Sequence, residues 1–332
     1  MPVLDASDAQ AVREAAARLA AGGLVAVPTE TVYGLGARAD DDAAVRAIFA
    51  AKGRPADHPL IVHLADAAAA DAFAADPGPD ARRLMAAFWP GPLTLIVPRQ
   101  PGHAEAASGG QPSIGLRVPV HPAAQALLRE CAARGVPGLA GPSANRFGRI
   151  SPTAASHVAR EFGPELLVLD GGACDVGIES AIVDCTRPVP ALLRPGLLDR
   201  RRIEAVLGRA LAERDAASPR ASGTLEAHYA PNARLELHAS AALAAAFGDG
   251  SATAPARRLP PGLAVYSRLV PPAAAGVIHR PMPGDAASVA HELFAVLREF
   301  DAGGASLIWV EQPPSGPEWE GVRDRLVRAA AG

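Results

Sequence analysis

Over the first two hundred residues, short apolar runs rich in Val, Ile and Leu alternate with stretches of helical periodicity, which restricts the chain to an α/β architecture. The runs Leu24 to Val27, Leu60 to Leu64, Leu93 to Val97, Ile114 to Val118, Leu166 to Leu169, Ala181 to Asp184 and Ala191 to Leu193 read as strands. Between them Ala9 to Ala21, Asp41 to Lys52, Asp80 to Phe88, Pro122 to Arg134 and Pro152 to Phe162 read as helices. The expectation is a mixed sheet with flanking helices over residues 1–208. Residues 209–232 turn polar, run through Ser218-Pro219-Arg220-Ala221-Ser222-Gly223 and end in His228-Tyr229-Ala230-Pro231. They read as an interdomain linker long enough to fold back across the first domain. Residues 233–332 then carry strands at Arg234 to Leu237, Leu263 to Tyr266, Gly276 to His279 and Ser306 to Val310, with helices from Ser240, Asp285 and Pro317, a smaller α/β domain.

Length supports that division, because 332 residues exceed the usual single core. An apolar content of 49% with 20% charged residues describes a globular chain, and no apolar stretch approaches a membrane span. The start Met1-Pro2-Val3-Leu4-Asp5 has no basic region followed by an apolar one, so a cytoplasmic location is expected. Cys131, Cys174 and Cys185 have neither disulfide nor metal spacing and read as small buried hydrophobes. Residues 1–208 hold 20 Lys and Arg against 22 Asp and Glu, and the remainder 12 against 13, so no global basic field points to nucleic acid. Arginines can still cluster in space without clustering in sequence.

Lys52 is the only lysine beside 31 arginines, which makes it the first place to look for chemistry a planar guanidinium cannot perform. Gly53 and Pro55 mark a helix stop, so Lys52 also fits a last-turn cation facing the helix dipole. Its spacing favours more: Val45, Ile48, Phe49 and Lys52 fall at i, i+3, i+4 and i+7, placing the ammonium on the apolar face. A charge there needs a partner or a task.

Four other strings carry polar chemistry at strand ends. Pro28-Thr29-Glu30-Thr31-Val32-Tyr33-Gly34-Leu35-Gly36 reads as a loop closed by its glycines that presents two hydroxyls and a carboxylate after the first strand, the usual ligand position in open α/β sheets. It is not a dinucleotide fingerprint, because the third glycine is missing, and no Walker loop occurs elsewhere. In Ser113-Ile114-Gly115-Leu116-Arg117-Val118, alternation puts Arg117 on the face where Gly115 leaves room, suited to a carboxylate, a phosphate or a structural ion pair. Gly141-Pro142-Ser143-Ala144-Asn145 leads to Ser151-Pro152, read as N-cap and first residue of a helix whose N-terminus forms an anion site. Gly177-Ile178-Glu179-Ser180 and Leu193-Arg194-Pro195-Gly196 add a hydroxyl and a guanidinium.

Together these strings resemble the YrdC-like domain of L-threonylcarbamoyladenylate synthases, in the long two-domain form of that family. The resemblance covers roughly residues 10–200 plus the His-Tyr-Ala-Pro of the linker, and implies a YrdC-like twisted open sheet with a Rossmann-like second domain. It further implies that threonine, bicarbonate and ATP are joined into threonylcarbamoyl-AMP with loss of pyrophosphate. The product would feed N6-threonylcarbamoyladenosine formation in tRNA through the downstream transfer machinery. Carried over by motif, Thr31, His63, Arg117, Gly141 and Ser180 surround threonine, with Arg117 clamping its carboxylate. Arg54, His58, Ser113, Ser143, Asn145, Ser151, Arg194 and Tyr229 contact ATP. Lys52, with Arg54, lies where the α-phosphate meets the carbamate, and offsets charge developing at phosphorus. Mg2+ would arrive with the triphosphate, with no tightly bound cofactor and no protein metal cage.

The chain departs from the family pattern at His58, often asparagine, at Gly141, commonly alanine, and at Ala181, commonly threonine. Its linker reads Ser222-Gly223-Thr224-Leu225-Glu226-Ala227 before His228, in place of a proline-glycine-methionine version. Two rival readings are an RNA-binding module without adenylation activity and a carbamoyl transferase of the hydrogenase-maturation type. The first is opposed by the charge balance, the second by the lack of zinc-finger and acyl-phosphatase regions.

Overall fold

Asp41 opens the helix that carries Lys52, its carboxylate accepting from the backbone N–H of Ala43 at 2.8 Å and of Ala44 at 3.3 Å. Gly53 closes it in the left-handed conformation at φ 64°, where a side chain would strain the backbone. Local rules of this kind lay out a computed structural model that describes residues 3–247, 259–269 and 277–332.

The elements of the first part are β1 (Val3–Asp5), α1 (Ala9–Ala20), β2 (Val25–Val27), β3 (Gly34–Arg38), α2 (Asp42–Lys52), β4 (Ile61–His63), α3 (Gly78–Phe88), β5 (Leu93–Pro98), α4 (Glu105–Ser108), β6 (Ser113–Arg117), α5 (Pro122–Ala133) and β7 (Leu139–Ala140). They continue as α6 (Ala155–Phe162), β8 (Leu167–Asp170), β9 (Ala181–Asp184), β10 (Ala191–Arg194), α7 (Arg200–Leu207) and β11 (Ala212–Glu213). The strands form one mixed sheet in the order β1-β8-β2-β3-β7-β4-β6-β5-β9-β10-β11. On one face α1 and α5 bury Ala15, Leu19, Leu127 and Leu128 against Val25, Val27 and Leu169. On the other, Val45 and Ile48 of α2, Leu84 of α3, Val158 of α6 and Ile203 of α7 share a core with Leu35, Val62, Leu95 and Leu116. Burying apolar side chains on both faces of a sheet is what makes it rigid enough to hold polar groups at strand ends.

Two elements differ from the sequence reading. Gly34-Leu35-Gly36 is not a loop closure but opens β3, antiparallel to β2, with Gly36 opposite Val25. A Cβ at Gly36 would meet the Val25 carbonyl oxygen at 3.2 Å, so glycine fits the close pairing. The helix expected from Pro152 begins at Ala155, and Ser151 is not its N-cap. The Pro152 carbonyl accepts from Tyr33 N, and Thr153 N donates to His157 Nδ1 at 3.2 Å, so long-range pairing holds this stretch out of the helix.

By contact density the chain divides into residues up to Phe147 with Ser151–Thr224, and Gly148–Ile150 with Leu225–Gly332. Residues 209–224, read as the start of a linker, lie in the first unit: β11 pairs parallel with β10, and Arg187 holds Asp215 at 2.8 Å. The second unit contains β12 (Arg234–His238), α8 (Ser240–Phe247), β13 (Leu263–Ser267), β14 (Ile278–Pro281), α9 (Ala286–Ala302), β15 (Leu307–Glu311) and α10 (Glu320–Ala330). Its strands run parallel in the order β12-β15-β13-β14. Of the strand expected over Gly276 to His279, Gly276 lies outside the described residues, as do Met1 and Pro2.

Candidate active site

Lys52 ends α2 with its side chain inward, 2% exposed, as the periodicity of the helix requires. Its Nζ donates to the Ser143 carbonyl at 2.5 Å and to the Asn145 carbonyl. The loop from Ser143 to Phe147 is held in return, because Phe147 N donates to the Lys52 carbonyl at 2.9 Å and Ala144 N to the Tyr33 carbonyl at 2.8 Å. Neither bond reaches a carboxylate. Burial, followed by the charge of Arg54, pushes the Lys52 pKa well below its ordinary value.

Arg54 lies beyond the left-handed turn at Gly53. It donates to the Pro59 carbonyl at 3.0 Å, and its guanidinium stands 5.7 Å from the centre of the Phe147 ring. His58 meets the same ring edge-on at 5.5 Å, and burial with the nearby Arg54 charge lowers its pKa. Ser222 joins this group, its hydroxyl donating to the Pro59 carbonyl at 2.8 Å and its own carbonyl accepting from Arg194 at 3.0 Å.

Arg194, at the end of β10, also donates to the Ser180 carbonyl at 3.0 Å and to Ser180 Oγ at 3.2 Å. Ser180 Oγ is 2.8 Å from Thr94 Oγ1 of the neighbouring strand. Thr94 is absent from the residues expected at the site. Its trace in the sequence is its being the single polar residue within Leu93-Thr94-Leu95-Ile96-Val97.

Arg117, at the end of β6, is 3% exposed and forms a structural ion pair, one of the readings its sequence left open. Its Nη2 pairs with Glu30 Oε1 at 2.6 Å, and its Nη1 donates to Thr31 Oγ1 at 2.8 Å. His63 stands opposite Arg117 across the parallel pair β4 and β6. Burial and the Arg117 charge lower its pKa to about 3, which keeps the imidazole neutral. Gly141 explains how the ring fits: a Cβ there would lie 2.9 Å from His63 Nδ1. Glycine at this position therefore leaves room for the histidine.

Ser113 is buried at the start of β6, opposite Pro98. Ser151, expected as a cap, is buried and donates its hydroxyl to Glu179 Oε1. Glu179 is the carboxylate that drew Ser151 away from capping, a partner 28 residues distant that no local pattern announces. Tyr229, for which the resemblance implies a nucleotide contact, belongs to the second unit. There its ring is fully buried, stacked on Phe294 at 5.4 Å with the Arg325 guanidinium 5.4 Å from its centre. Its φ of 64° is uncommon for an aromatic residue. Among the described residues, no group of three or more His, Cys, Asp and Glu side chains is placed to hold a metal ion, and no helix is long and apolar enough to cross a membrane. Cys131 and Cys174 are buried and Cys185 is half-buried, and burial raises all three thiol pKa values.

A mixed open sheet whose strand ends gather a buried lysine, three arginines and several hydroxyls defines an α/β protein equipped for small anionic ligands. The chain belongs to the Sua5, YciO and YrdC family: the model described as telomere recombination matches residues 17–196, and that of the threonylcarbamoyl-AMP synthase C-terminal domain matches residues 198–331. The threonylcarbamoyl-AMP synthase of Bacillus subtilis is 42% identical over 241 residues, which cover 70% of this chain and 68% of that one. Among solved structures, a doubly substituted variant of Pyrococcus abyssi Sua5 superposes with a TM-score of 0.87 at 31% identity, covering 99% of this chain and 96% of that one. The same protein complexed with L-threonine gives a TM-score of 0.84 at 33% identity, covering 97% and 95%.

Proposed function

We infer that this chain is a threonylcarbamoyl-AMP synthase, an enzyme of the nucleotidyltransferase type that joins L-threonine, bicarbonate and ATP with release of pyrophosphate. The observation that carries this reading is Lys52, a buried ammonium bonded to carbonyls and, among the described residues, to no carboxylate. Desolvation makes such a cation costly until an anion arrives, and a triphosphate is the anion that a site with Arg54 beside it, and Arg194 joined to Arg54 through Ser222, would attract.

The reaction divides into two stages. The threonine amine adds to the bicarbonate-derived carbon with loss of water, giving N-carboxythreonine. Its carboxylate oxygen then attacks the α-phosphorus of ATP, the bond to the bridging oxygen breaks, and pyrophosphate leaves. Lys52 and Arg54 offset the charge gathered on the α-phosphoryl oxygens, while Arg117, Thr31, His63 and Ser180 hold the amino acid. His63, neutral and buried, orients without adding charge. Ser143, Asn145, Ser113, His58, Ser151 and Arg194 line the nucleotide side of this arrangement, and Mg2+ enters with the triphosphate as part of the substrate. The product supplies the machinery that transfers threonylcarbamoyl to adenosine in tRNA, work that belongs in the cytoplasm.

Pyrophosphate release from ATP by the purified protein, with threonine and bicarbonate each supplied or omitted, tests the reading. Release that requires both is the expected result. No release under any condition would overturn it and bring forward an RNA-binding role, which strong salt dependence of RNA affinity would identify.

A further inference from the structure

Arg117 owns five N–H groups, and the described residues take three of them. Nε donates to the Gly91 carbonyl at 3.2 Å, Nη1 to Thr31 Oγ1 at 2.8 Å and Nη2 to Glu30 Oε1 at 2.6 Å. Each terminal nitrogen therefore keeps one N–H. Two donors on adjacent nitrogens of a planar fork match the two oxygens of a single carboxylate.

Glu30 is what makes this arrangement definite. The residue is 3% exposed, and its second carboxylate oxygen accepts from Val120 N at 3.2 Å. Its backbone carbonyl accepts from Val176 N at 2.7 Å, so both ends of the residue are tied. A carboxylate anchored in this way sets the rotation of the guanidinium and leaves its remaining donors in one direction.

The hydroxyls on the other side of Arg117 have a defined polarity. The only hydroxyl proton of Thr29 goes to the Val32 carbonyl at 2.6 Å, and its oxygen also accepts from Thr31 N and Val32 N at 3.2 Å, so at the 2.9 Å contact between the two hydroxyls Thr29 does not donate to Thr31. Thr31 Oγ1 thus receives no proton from Thr29 and spends one lone pair on Arg117. One lone pair remains, and it accepts from an N–H donor.

We propose that Glu30 is a positioning residue for the amino-acid substrate: it holds Arg117 so that the two remaining N–H groups receive the α-carboxylate, while the α-amino group donates to Thr31 Oγ1. This rests on the synthase reading for the identity of the amino acid. Glu30 itself touches no substrate and acts through Arg117. Losing it removes binding shared by ground and transition states, so threonine KM changes while kcat does not.

The test compares the full-length protein with Glu30→Gln, which loses the charge and the acceptor for Val120 N–H. Calorimetric titration with L-threonine and with L-threoninamide, which lacks the carboxylate, needs no turnover. The wild type is expected to prefer threonine. The variant is expected to bind threonine at least about tenfold more weakly, the size of a charged hydrogen-bond effect, and to lose most of its preference over the amide. Pyrophosphate release should then show a raised threonine KM, with kcat and ATP KM within about twofold of wild type. If Glu30→Gln does not melt as the wild type does, Glu30→Asp, one methylene short of both partners, carries the same comparison. Unchanged threonine affinity in a folded variant, or no preference for threonine over the amide in the wild type, overturns the proposal. Absence of pyrophosphate release alone overturns the synthase reading and leaves the binding result standing.

Discussion

Two buried cations of the first unit are handled in opposite ways. Arg117 is neutralised by Glu30 at 2.6 Å, whereas Lys52 is held by the carbonyls of Ser143 and Asn145 and, among the described residues, bonds to no carboxylate. The contrast follows from what each has to meet. A guanidinium with an internal partner has its charge offset and its orientation set, which on the proposal above suits it to select one carboxylate by geometry. An ammonium held by carbonyls is favoured only at longer range, by Glu161 and Glu179, and burial outweighs them and lowers its pKa, which on the synthase reading is the cost of waiting for a polyphosphate.

The sharpest break of this comparison is at Lys52. Lys52→Ala should lower kcat for pyrophosphate release by on the order of 10²- to 10³-fold while the protein melts near the wild-type temperature. Lys52→Arg should not restore the rate, because a planar fork does not fit between two carbonyls placed for a compact ammonium. A rate close to wild type in either variant would remove Lys52 from the chemistry.

Arg117 should behave differently, as a stability element as much as a binding one. Arg117→Met leaves Glu30 buried and uncompensated, a loss of about 3–5 kcal/mol by denaturant unfolding. The double variant with Glu30→Gln should recover much of that stability without recovering threonine binding. Equal instability of the single and double variants would show that Arg117 and Glu30 do not act as a pair.

His63 lies between the two cations in chain and in charge logic, and its pKa of about 3 makes a statement about pH. A histidine whose folded pKa lies below the unfolded value near 6.5 binds its proton more readily when unfolded. Stability from this group is therefore full above about pH 6.5 and is lost as pH falls toward 3. His63→Gln should flatten the stability profile over that window, and an unaltered slope would contradict a buried neutral ring. The smallest effect is expected at Gly141→Ala, where the new Cβ shifts the His63 ring by a few tenths of an ångström and raises threonine KM a few-fold, with ATP KM unaltered.

The two cations also differ in how far they could be read in advance. Lys52 facing inward was legible because the capping Asp41, the i, i+3, i+4, i+7 stripe and Gly53 all lie within thirteen residues, and helix geometry converts such spacing into a face. Strand alternation likewise set Arg117 on the face it shares with Gly115, and the position of Ser180 just before a strand was read from the string Gly177-Ile178-Glu179-Ser180. The partner of Arg117 lies 87 residues away at Glu30, and nothing in either local string joins them. Ser151 shows the opposite failure: Ser-Pro is a sound local cap signal, yet the buried carboxylate of Glu179 and the pairing of Pro152 with Tyr33 outweigh it. Thr94 and Phe147 joined the site for the same long-range reason, one through Ser180 across adjacent strands and the other through Arg54 and His58.

The sequence by itself determined the α/β alternation, the helix limits around Lys52 and the set of polar strings that mark the family, because capping, periodicity and turn chemistry act within a few residues. The tertiary structure decided which charges are paired and which are left for a ligand. That depends on strand order, which brings β2, β3, β7, β4 and β6 side by side from distant parts of the chain and sets Glu30 against Arg117 and His63 against Gly141.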